Sequence, residues 1–226
     1  MRRKSSTARP AARRARILLV DDHPLVRERL AEIINQEPDL MVCGEAQDRA
    51  GALAAMAAHR PELAIIDLAL KDSDGLELIK DIRLHWPNVL MLVVSMYEES
   101  LYAERVIRAG ARGYVTKQEA TRDILSAIRR VLSGRVYLNE NVSARIIDRL
   151  ADRSVPGAAT PAEMLADREL QVFELLGRGL VVKEIARRLR IATKTVDTYR
   201  RRIREKLNLQ TSSQLLQHAI SWTRRR

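Results

Sequence analysis

The sequence predicts an α/β domain with a five-stranded, doubly wound parallel sheet, followed by a separate domain built only of helices. Five short apolar runs in the first 135 residues lack polar alternation, and each is followed by a stretch with helical spacing. This pattern is typical of a parallel sheet that helices cover on both faces. After residue 161 the chain shows only helical spacing. The net charge changes from −4 over residues 17–135 to +8 over residues 160–226, which indicates an acidic domain joined to a basic one.

Strands and helices are expected to alternate through the first domain. Each expected strand is a short apolar run, and the expected ranges are 17–20, 41–44, 63–67, 89–95 and 113–117. The expected helices show apolar residues at helical spacing or high alanine content, and they cover 24–36, an alanine-rich stretch up to 59, 75–86, 98–109 and 121–132. Pro24 opens the first helix, and Gly110 and Gly134 end the last two, as proline and glycine commonly do.

Composition divides the rest of the chain into a tail, a linker and a second domain. Residues 1–15 are rich in arginine, alanine and serine without periodicity, so we expect a disordered basic tail before a first domain at 16–135. Residues 136–163 include prolines, a glycine and alanines, and we expect a linker that could form a helix over 141–150. The second domain is expected at 164–226, with helices near 167–178, 182–189, 193–207 and 212–222.

The composition also excludes several classes of protein. Cys43 is the only cysteine, which excludes an internal disulfide and a cysteine-rich zinc site and fits a reducing cytoplasm. The apolar runs are too short to cross a bilayer, and the basic N-terminus lacks the apolar stretch of a secretory signal. We therefore expect a cytoplasmic protein without a membrane partner. The histidines share no metal-ligand spacing and are expected at surface or capping positions: His23, His59, His85 and His218.

Polar side chains stand where four of the expected strands end. Asp21 and Asp22 follow the first strand, Asp67 ends the third, Ser95 the fourth and Lys117 the fifth. In the strand order 2-1-3-4-5, these four strands are neighbours, so their ends meet at one edge, where ligands of such sheets bind. Clustered carboxylates repel one another unless a cation joins them, and Mg²⁺ prefers such oxygen ligands. A metal ion, the Lys117 ammonium and the Ser95 hydroxyl would together stabilise a phosphoryl group during its transfer to one of the carboxylates.

These residues resemble the receiver domain of bacterial two-component response regulators, a flavodoxin-like fold. The resemblance covers residues 17–134 and rests on Val20-Asp21-Asp22, Ile66-Asp67, Asp74-Gly75, Val94-Ser95 and Lys117. It implies that Asp67 accepts the phosphoryl group, that Ser95 and Lys117 contact it and that Tyr114 is an aromatic switch. It also implies an Mg²⁺ site formed by Asp21, Asp22, Asp67 and the backbone carbonyl of Ala69. Lys71 stands where the family often has proline.

Residues 182–207 show the pattern of two helices joined by a short turn. In the second helix, Val196, Ile203 and Leu207 recur at helical spacing and are expected to face the core. The opposite face is rich in arginine and polar residues, which suits the major groove of DNA. The N-terminal half of such a helix reaches base edges, so the expected base contacts are Asp197, Thr198 and Arg201. The expected phosphate contacts are Lys194, Thr195, Arg200 and Arg202.

The second domain resembles the four-helix, LuxR-type helix-turn-helix domain. The resemblance rests on Leu165-Ala166-Asp167-Arg168-Glu169, Glu184-Ile185-Ala186, Thr195-Val196 and Lys206-Leu207. Ala166 and Ala192 stand where the family often has a capping serine or threonine, so we expect Asp167 or Thr193 to cap one residue later. Tyr199 stands where histidine is common. Together the two domains resemble the NarL/FixJ class of response regulators.

This resemblance implies a DNA-binding transcription regulator that a sensor histidine kinase phosphorylates on Asp67. As an enzyme it would catalyse only its own phosphorylation and dephosphorylation. Its expected partners are the kinase, double-stranded promoter DNA, a second copy of itself on activation, and RNA polymerase. Two alternatives stay open: a regulator of the same architecture that acts without phosphorylation, and an Mg²⁺-dependent phosphatase. The phosphatase class needs a second aspartate two residues after the nucleophile, where this chain has Ala69.

Overall fold

The computed structural model describes residues 13–70, 74–97, 99–151 and 161–224. The chain divides into two compact units, the first ending at Asn139 and the second beginning at Glu140. Three predictions concern residues outside the described ranges: the basic tail up to residue 12, the linker at 152–160, and Lys71. Within the described ranges, no helix has both the length and the apolar character needed to cross a membrane.

The first unit is the predicted parallel sheet with helices between its strands. Its strands are β1 (Ala15–Val20), β2 (Leu40–Ala46), β3 (Leu63–Ile66), β4 (Leu90–Ser95) and β5 (Gly113–Thr116). Its helices are α1 (Pro24–Asn35), α2 (Arg49–His59), α3 (Gly75–His85), α4 (Glu99–Ala109) and α5 (Lys117–Leu132). All neighbouring strands are parallel and follow the order β2-β1-β3-β4-β5, so the predicted fold class is confirmed.

The strands are buried on both faces of the sheet. In β1, Ile17 and Leu19 share a buried cluster with Ile34 of α1 and Ile124 of α5. Successive strand residues point to opposite faces, so Leu18 faces the other side, where it is fully buried as well. Each such side chain contributes about 1.5–3 kcal/mol when removed from water. Burial on both faces explains why the strands are continuous apolar runs in the sequence.

The fifth helix begins earlier in the chain than the sequence predicts. β5 ends at Thr116 and α5 begins at Lys117, so Lys117 lies in the first turn of a helix instead of on a strand. Thr116 is the N-cap residue, and its hydroxyl donates to Glu119 Oε2 at 2.6 Å. Residues 117–119 are polar, and the apolar periodicity that reveals a helix begins only after them.

Both ends of the first unit extend beyond the predicted bounds of the domain. Ala15 is the first residue of β1 and pairs with Leu40, while the Arg14 guanidinium donates to the Leu40 carbonyl at 2.7 Å. At the other end, Tyr137 pairs beside β5, where its carbonyl accepts a hydrogen bond from Tyr114 N–H at 2.9 Å. A single backbone pair leaves no apolar pattern in the sequence. Composition alone therefore assigns these residues to the tail and the linker.

Among the described residues of the second unit, all the regular elements are helices. Its helices are α6 (Glu140–Ala151), α7 (Pro161–Met164), α8 (Asp167–Gly177), α9 (Val182–Leu189), α10 (Thr193–Lys206) and α11 (Ser212–Arg224). The first three residues of the short helix α7 lie within the segment predicted as linker, and its last residue, Met164, begins the predicted second domain. Helix α8 packs against α9, α10 and α11, and its core residues Leu170 and Phe173 are fully buried. The prediction of a separate helical domain is confirmed.

Alanines hold two N-cap positions in this unit. Ala166 precedes α8 and Ala192 precedes α10, while Asp167 and Thr193 are the first residues of these helices. The prediction that Asp167 or Thr193 caps one residue later is therefore wrong. An alanine side chain has no oxygen that could accept a hydrogen bond from a helix N–H. At α8, however, the side chain of Glu169 reaches back to the backbone of the N-cap residue. Its Oε2 accepts a hydrogen bond from the Ala166 N–H at 2.8 Å.

Candidate metal centre and nucleic-acid interface

Strand register brings two of the predicted aspartates together at one edge of the sheet. Val20 of β1 pairs with Ile66 of β3, so the next residues, Asp21 and Asp67, leave neighbouring strands at the same level. The Asp67 N–H also donates to the Val20 carbonyl at 2.8 Å. Asp21 and Asp67 are 3% and 2% exposed, and Asp22 is buried beside them. Buried carboxylates need compensating positive charge.

Lys117 supplies part of this charge from the first turn of α5. Its Nζ lies 2.6 Å from Asp21 Oδ2 and 2.7 Å from Asp67 Oδ2, and its side chain is 7% exposed. Burial lowers the pKa of Lys117, but Asp67 and Asp21 together outweigh burial, so the pKa stands above its usual 10.5. Lys117 is therefore an ammonium ion that bridges two carboxylates.

The remaining carboxylate oxygens fit a divalent cation. Asp21 Oδ1 accepts a hydrogen bond from His23 N–H at 2.8 Å, and Asp67 Oδ1 accepts one from Ala69 N–H at 3.1 Å. One ligand atom from each of Asp21, Asp22, His23 and Asp67 lies within 4.8 Å of the others. Three buried carboxylates beside one ammonium ion leave negative charge to neutralise, which suits a hard dication such as Mg²⁺. The role of the Ala69 carbonyl stays a prediction.

His23 lies in this cluster, which sequence reasoning missed. Its Nδ1 lies 3.0 Å from Asp21 Oδ1 and 2.8 Å from Asp22 Oδ1, and its side chain is 43% exposed. It occupies the N-cap position of α1, but its ring forms no capping hydrogen bond with that helix. The expectation of a surface or capping residue is therefore incomplete. The available signal was its position directly after Asp21 and Asp22.

Ser95 and Tyr114 lie on neighbouring strands next to this edge. Ser95 ends β4 beside Thr116 of β5 and is fully buried. Tyr114 is also fully buried, and its hydroxyl donates to the Tyr97 carbonyl at 2.9 Å. Burial raises the pKa of Tyr114 well above 10, so this hydroxyl keeps its proton. The Tyr97 ring stacks on Tyr102 of α4 with centroids 5.0 Å apart.

Helices α9 and α10 form the predicted helix-turn-helix. Helix α9 ends at Leu189, Arg190 adopts a left-handed conformation with φ 53°, and α10 follows after two further residues. Val196 and Ile203 are fully buried, as expected. Leu207, the third expected core residue, follows the last turn as the C-cap and is only half-buried.

The predicted DNA contacts lie on the outer part of α10. The exposed ones are Lys194, Asp197, Arg201 and Arg202, whereas the half-buried ones are Thr195, Thr198 and Arg200. Asp197 and Arg200 form an ion pair at 2.9 Å, and Thr198 Oγ1 donates to the Lys194 carbonyl at 3.0 Å. Two predicted base contacts, Asp197 and Thr198, therefore have partners on the helix itself. Their roles on DNA stay predictions.

Glu169 anchors α10 from the start of α8. It is 3% exposed, and its Oε2 lies 2.7 Å from Lys206 Nζ at the end of α10. The same oxygen accepts the Ala166 N–H. This ion pair joins residues 37 positions apart and holds the C-terminal end of the exposed helix against the core.

Comparisons with known proteins agree with this architecture. Residues 17–129 match the family described as the response regulator receiver domain, and residues 163–219 match the bacterial regulatory proteins of the luxR family. The chain is 34% identical to the DNA-binding transcriptional activator DevR/DosR of Mycobacterium tuberculosis, over 93% of this chain and 96% of that protein. It is 29% identical to the oxygen regulatory protein NreC of Staphylococcus epidermidis, over 91% and 96% of the two chains.

Solved structures give the same result. The chain is similar to the RcsB response regulator of Salmonella typhimurium, with 25% identity, a TM-score of 0.62, and coverage of 92% of this chain and 98% of that one. RcsB bound to the promoter rprA in the presence of the phosphomimetic BeF3− matches with 26% identity and a TM-score of 0.59. That match covers 91% and 98% of the two chains.

Proposed function

Because this chain belongs to the bacterial response regulators that join a receiver domain to a LuxR-type DNA-binding domain, we propose that phosphorylation of Asp67 controls its binding to promoter DNA. The family consists of DNA-binding transcription regulators that pair with histidine kinases. The observation that best supports a phosphoacceptor role is the Lys117 ammonium, which contacts Asp67 and Asp21 together.

In the proposed reaction, an Asp67 oxygen attacks the phosphorus of a phosphohistidine on a sensor kinase. A P–O bond to Asp67 forms while the P–N bond breaks, and the released imidazole takes a proton from solvent. Lys117 and the Ser95 hydroxyl would stabilise the phosphoryl oxygens. A magnesium ion bound by Asp21, Asp22, Asp67 and the Ala69 carbonyl would neutralise further charge. The receiver catalyses only this transfer and the later hydrolysis.

Tyr114 would carry the change from the phosphorylated edge to the surface of the unit. Ser95 ends β4, and the Tyr114 hydroxyl binds the loop that follows it through the Tyr97 carbonyl. A phosphoryl group that draws Ser95 and Lys117 inward would move this loop and offer Tyr114 a second position. Such a switch needs two arrangements of similar free energy, which phosphorylation biases.

The second unit would bind DNA through α10. The net charge of +8 over residues 160–226 favours a phosphate backbone, and the exposed side of α10 includes Lys194, Arg201 and Arg202. Solved structures describe two RcsB dimers bound to two parallel DNAs. By this similarity, two copies of the present chain would bind paired half-sites on activation. They would act on RNA polymerase in the cytoplasm.

The decisive experiment compares wild type with Asp67→Asn. Both proteins are incubated with labelled acetyl phosphate and Mg²⁺, and promoter binding is then measured with and without beryllofluoride. Asp48→Asn is the matched control, because Asp48 caps α2 and asparagine caps equally well. We expect wild type and Asp48→Asn to take up the phosphoryl label and to change their promoter binding with beryllofluoride. Asp67→Asn should do neither. Phosphoryl label on Asp67→Asn would contradict the assignment of Asp67 as the phosphoacceptor. Wild-type DNA binding that is unchanged by beryllofluoride would favour a regulator that acts without phosphorylation.

A further inference from the structure

We propose that residues 136–139, which we call the strap, form a latch that holds back DNA binding, and that Glu99 keeps this latch closed until the receiver is phosphorylated. Asn139 is the last residue of the first unit and Glu140 is the first residue of the second. Whatever holds the strap therefore sets the length of free chain between the two units. The inference rests on the proposed function in taking phosphorylated Asp67 as the signal, and it adds the element that receives this signal.

The strap lies beside β5, the last strand of the sheet. Tyr137 pairs with Gly113 in parallel register. Its N–H donates to the Arg112 carbonyl and its carbonyl accepts the Tyr114 N–H, both at 2.9 Å. A Cβ atom on Gly113 would lie only 3.0 Å from the Tyr137 carbonyl oxygen and 3.2 Å from Tyr137 Cβ, so glycine permits this close approach. Tyr137 also packs against the buried core cluster, which fixes the middle of the strap.

Glu99 holds the end of the strap to the start of α4. Its Oε1 accepts the Asn139 N–H at 2.7 Å, and the residue is 7% exposed. Two residues before Glu99, the Tyr97 carbonyl accepts the Tyr114 hydroxyl at 2.9 Å. Tyr114 thus binds the loop after β4 with its side chain and the strap with its backbone. A displacement of that loop therefore acts on the strap at two points, through Tyr114 and through Glu99.

The contact between Glu99 and Asn139 has little net stability. Burial raises the pKa of Glu99 above 4.5 and outweighs the effect of the Asn139 hydrogen bond, while the charge of Glu119 raises this pKa further. At neutral pH the ionised Glu99 carboxylate therefore costs free energy where it is buried, and it regains hydration when it leaves. The hydrogen bond offsets only part of that cost. A modest change of free energy at the neighbouring loop is then sufficient to open the latch.

An open latch lengthens the free chain in front of the second unit. The four residues 136–139 are added to it, and an extended chain spans about 3.3–3.6 Å per residue, which gives about 13–14 Å. Two DNA-binding units on paired half-sites have to reach positions about 34–36 Å apart, which is one helical turn of DNA. A longer connection lets each unit take its half-site with less constraint from its receiver. We therefore expect the open latch to favour DNA binding.

The test compares two substitutions of Glu99 in the full chain. Glu99→Ala removes the acceptor, whereas Glu99→Gln keeps an acceptor oxygen without the cost of a buried charge. Glu77→Ala is the matched control, because Glu77 also lies in the first turn of a helix but pairs with Lys80 at the surface. The latch opens in the first variant and stays closed in the second, so the two variants are expected to shift in opposite directions from wild type.

Amide hydrogen exchange, detected by NMR, follows the latch itself. Beryllofluoride with Mg²⁺ should speed exchange of the Asn139 N–H in wild type and in Glu77→Ala by about fivefold or more. Glu99→Ala should show the fast rate without beryllofluoride, and Glu99→Gln should stay slow in its presence. If Glu99→Ala does not fold, wild type and Glu99→Gln still decide the question.

Titration of promoter DNA on the same proteins connects the latch to function. Without beryllofluoride, Glu99→Ala should bind DNA about fivefold or more tighter than wild type, and Glu99→Gln should gain less from beryllofluoride than wild type does. If beryllofluoride tightens wild-type DNA binding without changing Asn139 exchange, or if both variants shift the same way, only the latch inference fails. If beryllofluoride leaves wild-type DNA binding unchanged, the proposed function fails and the latch fails with it.

Discussion

The Tyr114 hydroxyl donates a hydrogen bond to the Tyr97 carbonyl at 2.9 Å and so joins β5 to the loop after β4. Tyr114 is fully buried. We expect Tyr114→Phe to lower the free energy of unfolding by about 0.5–1.5 kcal/mol, because one buried hydrogen bond is lost while the ring stays. The same variant should weaken the response of DNA binding to beryllofluoride. Urea denaturation and DNA titration measure both effects, with Tyr137→Phe as control. An unchanged response would contradict a switch role for the hydroxyl.

A second prediction concerns Glu99 at the start of α4. Its carboxylate is buried and accepts a hydrogen bond from Asn139 N–H at 2.7 Å. Burial raises the pKa of Glu99 above 4.5, outweighing that hydrogen bond. The folded state therefore binds the proton more tightly than the unfolded state, and ionisation lowers stability as the pH rises from about 4.5 through the folded pKa.

Glu99→Gln removes this dependence, because the amide stays neutral and its oxygen can still accept the Asn139 N–H. We expect the variant to gain stability over wild type as the pH rises from 4 to 7. Urea denaturation at several pH values measures this difference. A difference that is constant with pH would show that Glu99 does not titrate differently on folding.

The third prediction concerns Asp22. Asp22→Ala should raise the Mg²⁺ concentration needed for half-maximal phosphorylation of Asp67 by about tenfold or more, because loss of groups that only support a metal ligand already costs about 10–100-fold. Phosphorylation by acetyl phosphate over a magnesium titration measures it. Asp123→Ala, on the surface of α5, is the control. An unaltered magnesium requirement in Asp22→Ala would remove Asp22 from the metal site.

The fourth prediction separates two exposed residues of α10. Arg201→Ala should cost about 1–3 kcal/mol on specific DNA and relax the preference at one base pair. Lys194→Ala should weaken binding to all sequences alike and reduce the salt slope by about one. Titrations of specific and random DNA over a range of salt concentrations compare the two variants. Identical behaviour would mean that the division into base and phosphate contacts is wrong.

The fifth prediction concerns the ion pair between Glu169 and Lys206. Glu169→Gln should lower the free energy of unfolding of the second unit by about 1–3 kcal/mol, since the charge-assisted contact is lost while an amide oxygen can still accept the Ala166 N–H. Lys206→Met and the double variant complete a mutant cycle in urea denaturation. If the effects of the two single substitutions on the free energy of unfolding simply add, the 2.7 Å contact between Glu169 and Lys206 makes no net contribution to stability.

Local patterns in the sequence were sufficient to predict the sheet, its helices and the edge where Asp21, Asp67 and Ser95 meet. Strands buried on both faces must be apolar throughout, and polar residues can then stand only at their ends. The start of α5 was predicted too late, because the polar turn at Lys117 has no apolar period. The caps at Ala166 and Ala192 were misassigned for a similar reason, since a helix can begin without a capping side chain.

The sequence by itself determined the two-domain fold and the receiver and LuxR-type motifs, because hydrophobic period and strand-end chemistry are properties of short segments. Only the tertiary structure decided which side chains meet. Lys117 bridges Asp21 and Asp67, and Glu169 reaches Lys206 at the far end of another helix. Lys117 and Asp67 are 50 positions apart along the chain, and Glu169 and Lys206 are 37 positions apart. Their contacts therefore depend on strand register and helix packing. His23 follows the same rule at short range, because the turn after β1, not the residue order, points its ring at the carboxylates.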